Sequence, residues 1–182
     1  MTLLKKRKNK KGFSLLELLL VLGIIAALIV AAFIVYPKVQ ASQRAEAESN
    51  NIATIQAGVK ALYASTSSYT GLTNKVAVQA KIFPDNMLAG TGSTANPVNV
   101  FKGNVVLSAS SYGPSGVVGS AFSIGYTHVP AAECVKIATA VAGNFYMTQI
   151  NSKVVKPAGG ILDVAAAAAA CSSNNTLSFT SI

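Results

Sequence analysis

Few residues of this chain have the type and spacing that catalysis or metal binding requires. His128 is the only histidine in 182 residues, so any metal site would need cysteines and some of the six carboxylates around it. Asp85, Glu133 and Asp163 are scattered along the sequence and form no pair suited to acid–base chemistry. Residues 113–116 (GPSG) are typical of a turn and not of a phosphate-binding loop. The sequence therefore predicts no enzyme, no catalytic residue, no cofactor and no metal site.

One carboxylate has unusual surroundings. Glu17 is the only charged residue in the 24-residue apolar segment 13–36. As a helix this segment would extend about 36 Å, enough to cross the ~30 Å hydrocarbon core of a bilayer. A carboxylate inside such a segment is costly unless it finds a partner, which indicates a function. The alternative is a charge that reaches the membrane surface near the helix end, favoured by the helix dipole.

The basic residues are concentrated before this segment. Six of the fifteen lie before Gly12, which leaves nine basic against six acidic residues in the remainder: Lys5, Lys6, Arg7, Lys8, Lys10 and Lys11. A basic run before an apolar segment is typical of a cytoplasmic N-terminus and less so of nucleic-acid binding. A secretory signal peptide would have a shorter apolar region, with its cleavage site after that region. Residues 13–36 therefore predict a single membrane-spanning helix.

A helical pattern continues beyond Pro37, a residue expected to kink the helix or open its preceding turn. Four apolar residues recur at intervals of 3, 4 and 3, as on one face of a helix: Ile52, Ile55, Val59 and Leu62. The STSS run at 65–68 and Gly71 end the pattern. We expect one helix from about residue 14 to 64, half of it in lipid and half packed against a globular head.

The head reads as a mixture of strands and short helices. Strands are expected at 74–81 (weakly), 104–107, 121–129 and 176–182, with Phe122, Ile124 and Tyr126 on one face. Helices are expected from Pro130 to about residue 150 and over 165–170. The fold class is thus α+β, a small antiparallel sheet with short helices on a long N-terminal helix. The domains are a leader (1–12), an apolar helix (13–36), an amphipathic half-helix (37–64) and a head (65–182).

The two cysteines, Cys134 and Cys171, lack the C-x-x-C spacing of zinc and redox sites. If the head lies outside the cytoplasm, a disulfide is the simplest state of the pair. Two free buried thiols are the alternative for a cytosolic head.

Residues 10–18 (KKGFSLLEL) resemble the leader and cleavage site of type IV pilins. In that family a prepilin peptidase cuts after the glycine, here Gly12, and methylates the new N-terminus, here Phe13. The resemblance also implies that Glu17 acts in methylation and subunit assembly. Type II secretion pseudopilins share the motif, so it indicates the superfamily and not one machine.

The head resembles type IVb pilins such as bundle-forming pilin. The resemblance is carried by Tyr69, Gly71 and Leu72, then residues 82–86 (IFPDN), 96–97 (NP) and 131–134 (AAEC). It implies that a disulfide joins Cys134 and Cys171 and bounds the C-terminal region. Two features depart from the type IVb pattern: the leader is short, and Phe13 as first mature residue is commoner in type IVa pilins. Related pilins also often carry the proline a few positions before Pro37.

The resemblance implies a structural subunit, cleaved, N-methylated and polymerised into an extracellular helical fibre, with a type IVb major pilin expected. Its partners would be identical subunits, the prepilin peptidase, the assembly machinery of the inner membrane and, before assembly, inner-membrane lipid. The head would lie outside the cytoplasm. The alternatives are a minor pilin, a pseudopilin, or a monomeric membrane-tethered adhesive or binding domain.

Overall fold

The computed structural model describes residues 14–92 and 95–182, so Gly12 and Phe13 lie outside the described residues. The chain divides into two units, Met1–Val39 and Gln40–Ile182. The first helix, α1 (Leu15–Leu62), begins in the first unit, contains Pro37 and ends in the second. The expected long N-terminal helix is therefore present, to within two residues at its C-terminal end.

The second unit contains the expected head (65–182) together with the second half of α1; from here on the whole unit is called the head. Its main sheet is antiparallel. The helices are α2 (Asn74–Gln79), α3 (Ala131–Val141) and α4 (Val164–Ala170), and short 3₁₀ turns lie at Asp85–Met87 and Ala142–Asn144. The strands are β1 (Leu88–Ala89), β2 (Asn96–Pro97), β3 (Val105–Ser110), β4 (Ala121–Val129), β5 (Met147–Ile150), β6 (Lys153–Lys156) and β7 (Asn175–Ser181). Five strands form the main sheet in the order β3-β4-β7-β5-β6, while β1 and β2 pair separately. The predicted α+β class is confirmed.

One face of α1 and one face of the sheet form the core. Ile52, Ile55 and Val59 are fully buried, and they belong to one cluster with alternate residues of β4 and β7: Phe122, Ile124, Tyr126, Leu177 and Phe179. In a strand every second side chain lies on the same face of the sheet. The alternation of apolar residues in β4 and β7 could therefore be recognised from the sequence.

Leu62 was expected on the buried stripe of α1, but it is 41% exposed. Counting four residues on from Val59 reaches Tyr63, which packs against the core beside Tyr69, with 5.5 Å between their ring centroids. An i+4 step at this point therefore places Tyr63 where the pattern had placed Leu62.

The expected strand at 74–81 is wrong, since α2 occupies this position. The Thr73 hydroxyl accepts a hydrogen bond from the Val76 N–H and caps the helix. The Asn74 amide lies against the edge of β3, donating to the Val105 carbonyl (2.8 Å) and accepting from the Leu107 N–H (2.7 Å). The weak alternation of apolar residues gave no indication of these contacts at the helix cap and at the edge of β3.

The expected helix from Pro130 to residue 150 is too long. It ends at Val141, and Met147–Ile150 forms β5, which pairs with β7. The Lys156 ammonium donates to the carbonyls of Ala142 and Phe145, and so holds the segment that follows the end of α3. Because Lys156 lies beyond β5, the residues near the end of α3 gave no indication of these hydrogen bonds.

Strand β6 was not predicted. It follows β5 through a two-residue turn in which Asn151 (φ 50°) and Ser152 (φ 66°) both adopt left-handed backbone conformations. Two positive φ values are typical of a type I′ hairpin turn, which matches the twist of the strands that it joins.

Candidate assembly segment and the head

The candidate functional segment is the part of α1 in the first unit, residues 14–39. Every described side chain of this segment is exposed, and large aliphatic residues make up most of it. By length and composition α1 could cross a membrane. An apolar helix surface of this extent is stable only in lipid or against other apolar surfaces.

Glu17 lies in the first turn of α1, where the Leu18 N–H already donates to the Ser14 carbonyl. Free N–H groups and the helix dipole favour a negative charge at this end. The Glu17 side chain is exposed on the helix surface, as are its apolar neighbours. The Glu17 carboxylate is therefore accessible from outside the helix.

The second half of α1 carries a carboxylate that is buried in the head. Glu48 is 2% exposed, and its Oε1 accepts a hydrogen bond of 2.7 Å from the Val100 N–H. The Asn51 amide lies 3.4 Å from the other oxygen. Sequence reasoning missed this residue, although Glu48 lies four residues before Ile52 and three after Ala45, on the same helix face. That spacing was the available signal.

Tyr126 of β4 is buried beside Glu48. Burial, and then the Glu48 carboxylate, raise the pKa of the Tyr126 hydroxyl well above its ordinary value. The Tyr126 hydroxyl oxygen has no hydrogen-bond partner of acceptable geometry among the described residues. Glu48 therefore acts on the Tyr126 hydroxyl through its charge, and the two groups do not form a hydrogen bond of good geometry.

Gln56 joins α1 to the C-terminal part of the head. Its amide donates to the Asn144 carbonyl (2.8 Å) and to the Ser181 hydroxyl of β7 (2.9 Å). These contacts span 88 and 125 residues of sequence. Together with Glu48 they fix the rotation of α1 on the sheet within the head.

A disulfide joins Cys134 and Cys171, with their Cα atoms 6.0 Å apart. Cys134 is buried in the first turn of α3, and Cys171 is the C-cap of α4. Asn175 supports the segment after the disulfide, since its amide donates to the carbonyls of Val129 (2.9 Å) and Ser172 (2.7 Å). The bridge closes the region 134–171, as the resemblance implied.

His128 is exposed near the end of β4, with φ of 61° and its Nδ1 3.3 Å from the Thr127 hydroxyl. Among the described residues, no three His, Cys, Asp or Glu side chains form a group that could hold a metal ion. Asp163 acts locally, accepting from the Ala166 N–H as the N-cap of α4.

Comparison with known proteins gives two matches to family descriptions. The description "PilS N terminal" matches residues 42–182, and "Prokaryotic N-terminal methylation motif" matches residues 7–33. No curated protein sequence matches the chain.

Solved structures share the fold. A type IV b pilin from Salmonella typhi is similar with a TM-score of 0.60 and 20% identity, over 74% of this chain and 97% of that one. TcpA, a type IV pilin from Vibrio cholerae El Tor biotype, is similar with a TM-score of 0.56 and 13% identity, over 79% and 99%. Three features together define a type IV pilin: the long N-terminal helix, the antiparallel sheet and the methylation motif. The match over most of its length shows that the chain belongs to the PilS family.

Proposed function

We propose that this chain is the prepilin of a type IVb pilus and the major subunit of an extracellular helical fibre. The observation that carries the proposal is the exposed apolar surface of residues 14–39, with Glu17 in its first turn, on a chain that has the type IV pilin fold. Likeness of the head to the type IV b pilin of Salmonella typhi supports the subclass.

Processing begins at the membrane. The basic leader keeps the N-terminus in the cytoplasm, while the head lies outside the inner membrane, where the Cys134–Cys171 disulfide forms. The prepilin peptidase cleaves between Gly12 and Phe13 and methylates the Phe13 amine. The new chain end is then a cation four residues before Glu17.

Assembly moves the apolar helix from lipid into a bundle of identical helices, with the assembly machinery of the inner membrane acting on it. This transfer gains little hydrophobic free energy, because lipid tails are as apolar as leucine. Packing and polar pairing therefore drive association. The Phe13 ammonium of one subunit pairs with Glu17 of its neighbour, and the charge-assisted pair sets the register as subunits add. Head-to-tail contacts that do not close into a ring generate a helical filament.

Mass spectrometry of material sheared from the cell surface tests the proposal. We expect an N-terminus at a methylated Phe13 and this chain as the principal protein of the fibres. Surface material that still carries residues 1–12 would overturn the scheme and favour a monomeric tethered domain.

A second candidate is supported by the same methylation motif, which pseudopilins and minor pilins share. These proteins would be cleaved in the same way but would cap a fibre or act in a secretion machine. A correctly cleaved chain that is scarce in sheared fibres would favour this candidate over the major subunit.

A further inference from the structure

Other segments of the chain form hydrogen bonds to both outer strands of the main sheet. At the β3 edge, Asn74 bonds the backbone of Val105 and Leu107, and Thr73 bridges Ser108. At the β6 edge, the Asp163 N–H donates to the Val155 carbonyl (2.9 Å). Edge backbone groups that are already bonded disfavour the addition of a strand from another chain. Contacts between heads are therefore expected to use side chains.

The loop between β3 and β4, residues 111–120, projects apolar side chains and contains no charged residue; we call it the Val117 loop. Val117 and Val118 are each 64% exposed, and Tyr112 is 55% exposed. The base of the loop is held by hydrogen bonds from the Tyr69 N–H to the Gly119 carbonyl (2.8 Å) and from the Gly119 N–H to the Ser110 carbonyl (3.1 Å). The Val117 loop is thus an anchored apolar projection.

An apolar groove lies beside β6 and α4; we call it the Ile161 groove. Its volume is about 570 Å³, and its apolar lining is Val154, Val155, Pro157, Ile161, Leu162 and Ala166. Ile161 is 88% exposed. The one carboxylate at the groove, Asp163, is engaged as the cap of α4. An uncharged apolar segment would suit this surface better than a charged one.

The strand register places the loop and the groove at the same end of the sheet. Ser110 pairs with Ala121 where the Val117 loop leaves, and the neighbouring Phe122 pairs with Ser181 of β7. Across the sheet, β5 begins at Met147, opposite Thr180 of β7, and the end of β6 faces Thr148. The loop and the end of β6 therefore lie towards the same end of the sheet, and β3 and β6 are separated by four strand spacings, or about 19 Å. Val154 of the groove is level with Val106 of β3, four residues before Ser110.

We propose that the Val117 loop of one head docks into the Ile161 groove of a second copy of this chain. The two surfaces differ and lie on opposite edges of the sheet. Each copy can therefore bind one neighbour with its Val117 loop and another neighbour with its Ile161 groove. Such a heterologous contact repeats without closing on itself and sets heads side by side. The occupant is a second copy because the chain itself supplies an uncharged apolar projection towards the same end of the sheet as the groove and at its other side. This inference rests on the proposed function and adds the contact between heads to it.

Site-specific photo-cross-linking in the full-length chain on cells tests the contact. A benzophenone amino acid replaces Val118, the fibres are irradiated, and cross-linked peptides are identified by mass spectrometry. We expect cross-links between chains from position 118 to residues 154–166. Cross-links that lead only to other segments would overturn the proposal.

Charge substitutions provide a second readout. Val118→Glu and Ile161→Lys should each reduce sheared fibre by about tenfold or more, and the two together should restore it, because the new charges meet across the contact. Val100→Lys is the control, since Val100 is 51% exposed in the segment between β2 and β3 and belongs to neither surface. The disulfide on a non-reducing gel reports that each variant is folded.

The outcomes separate the two proposals. If the unsubstituted chain forms no fibres, the proposed function is wrong. If it forms fibres and Val118→Glu assembles as the unsubstituted chain does, only the contact between heads is wrong.

Discussion

Single charged and polar residues of this chain act according to their surroundings. Glu17 and Glu48 are both carboxylates of α1, yet Glu17 is exposed in an apolar segment while Glu48 is buried against the Val100 N–H. A buried carboxylate that accepts a backbone hydrogen bond serves the fold, because its loss would leave the donor unsatisfied. An exposed carboxylate on an apolar helix contributes nothing to the head and is available to a partner.

Replacing Glu17 by Ala or Gln should abolish the proposed pairing with the Phe13 ammonium of the next subunit. We expect the amount of sheared fibre to fall by about tenfold or more, while the membrane-bound chain remains at its usual level. The exposed Glu46, on the same helix within the head, provides the control Glu46→Gln. Normal assembly of Glu17→Ala would remove the pairing step.

Tyr126 should make the stability of the head depend on alkaline pH. Its pKa is raised in the folded state, so its contribution is fully present below the unfolded pKa of about 10 and is lost as pH rises through the folded value. Tyr126→Phe should weaken this loss and be nearly neutral near pH 7, because the hydroxyl lacks a bonded partner.

Thermal melting of the detergent-solubilised chain, followed by circular dichroism near pH 7 and above about pH 10, measures this effect. Tyr112→Phe is the control, since Tyr112 is 55% exposed and the two variants carry the same lysines. An alkaline loss of stability that is the same in both variants would contradict the assignment to Tyr126.

Helices and strands of the head depend on contacts from distant segments. Asn74 of α2 bonds the edge of β3, Gln56 of α1 donates to the Asn144 carbonyl, and Lys156 of β6 donates to the carbonyls of Ala142 and Phe145. These side chains satisfy backbone groups that a helix end or a strand edge leaves free. Each short element is therefore stable because another element completes its hydrogen bonds.

Asn74→Ala should destabilise the head, since it removes both side-chain bonds to the β3 edge. We expect a loss of about 1–3 kcal/mol in the free energy of unfolding, measured by denaturant titration. Asn174→Ala is the control, because Asn174 is exposed. Equal stability of the two variants would show that water replaces the Asn74 amide without cost.

The whole chain combines a segment that requires other molecules with a head that folds around its own core. Residues 14–39 expose apolar side chains, whereas the head buries one face of α1 against its sheet. The Cys134–Cys171 disulfide links α3 to α4 and closes the C-terminal region of the head. A rigid head on an apolar helix is what a polymer subunit requires, because every copy must present the same surfaces.

Replacing both Cys134 and Cys171 by Ser should lower the stability of the head by about 3–4 kcal/mol in the chain-entropy account of disulfides. Denaturant titration of the variant and of the reduced parent chain should give similar midpoints, both below that of the oxidised chain. Equal midpoints for the variant and the oxidised chain would contradict a stabilising role for the bridge.

The sequence by itself determined the long helix, the apolar segment with Glu17, and strands β4 and β7. Their signals are local, since a long apolar run or a strict alternation is legible without knowing what it packs against. Tertiary structure alone decided that 74–79 is helical, that β5 and β6 follow α3, and that Glu48 is buried. These outcomes depend on partners far away in the sequence, such as β3 for Asn74, β7 for β5 and the Val100 N–H for Glu48. A buried backbone group or charge is stable only where another segment supplies its hydrogen-bond partner. When that segment is distant in the sequence, the local periodicity of apolar residues does not indicate it.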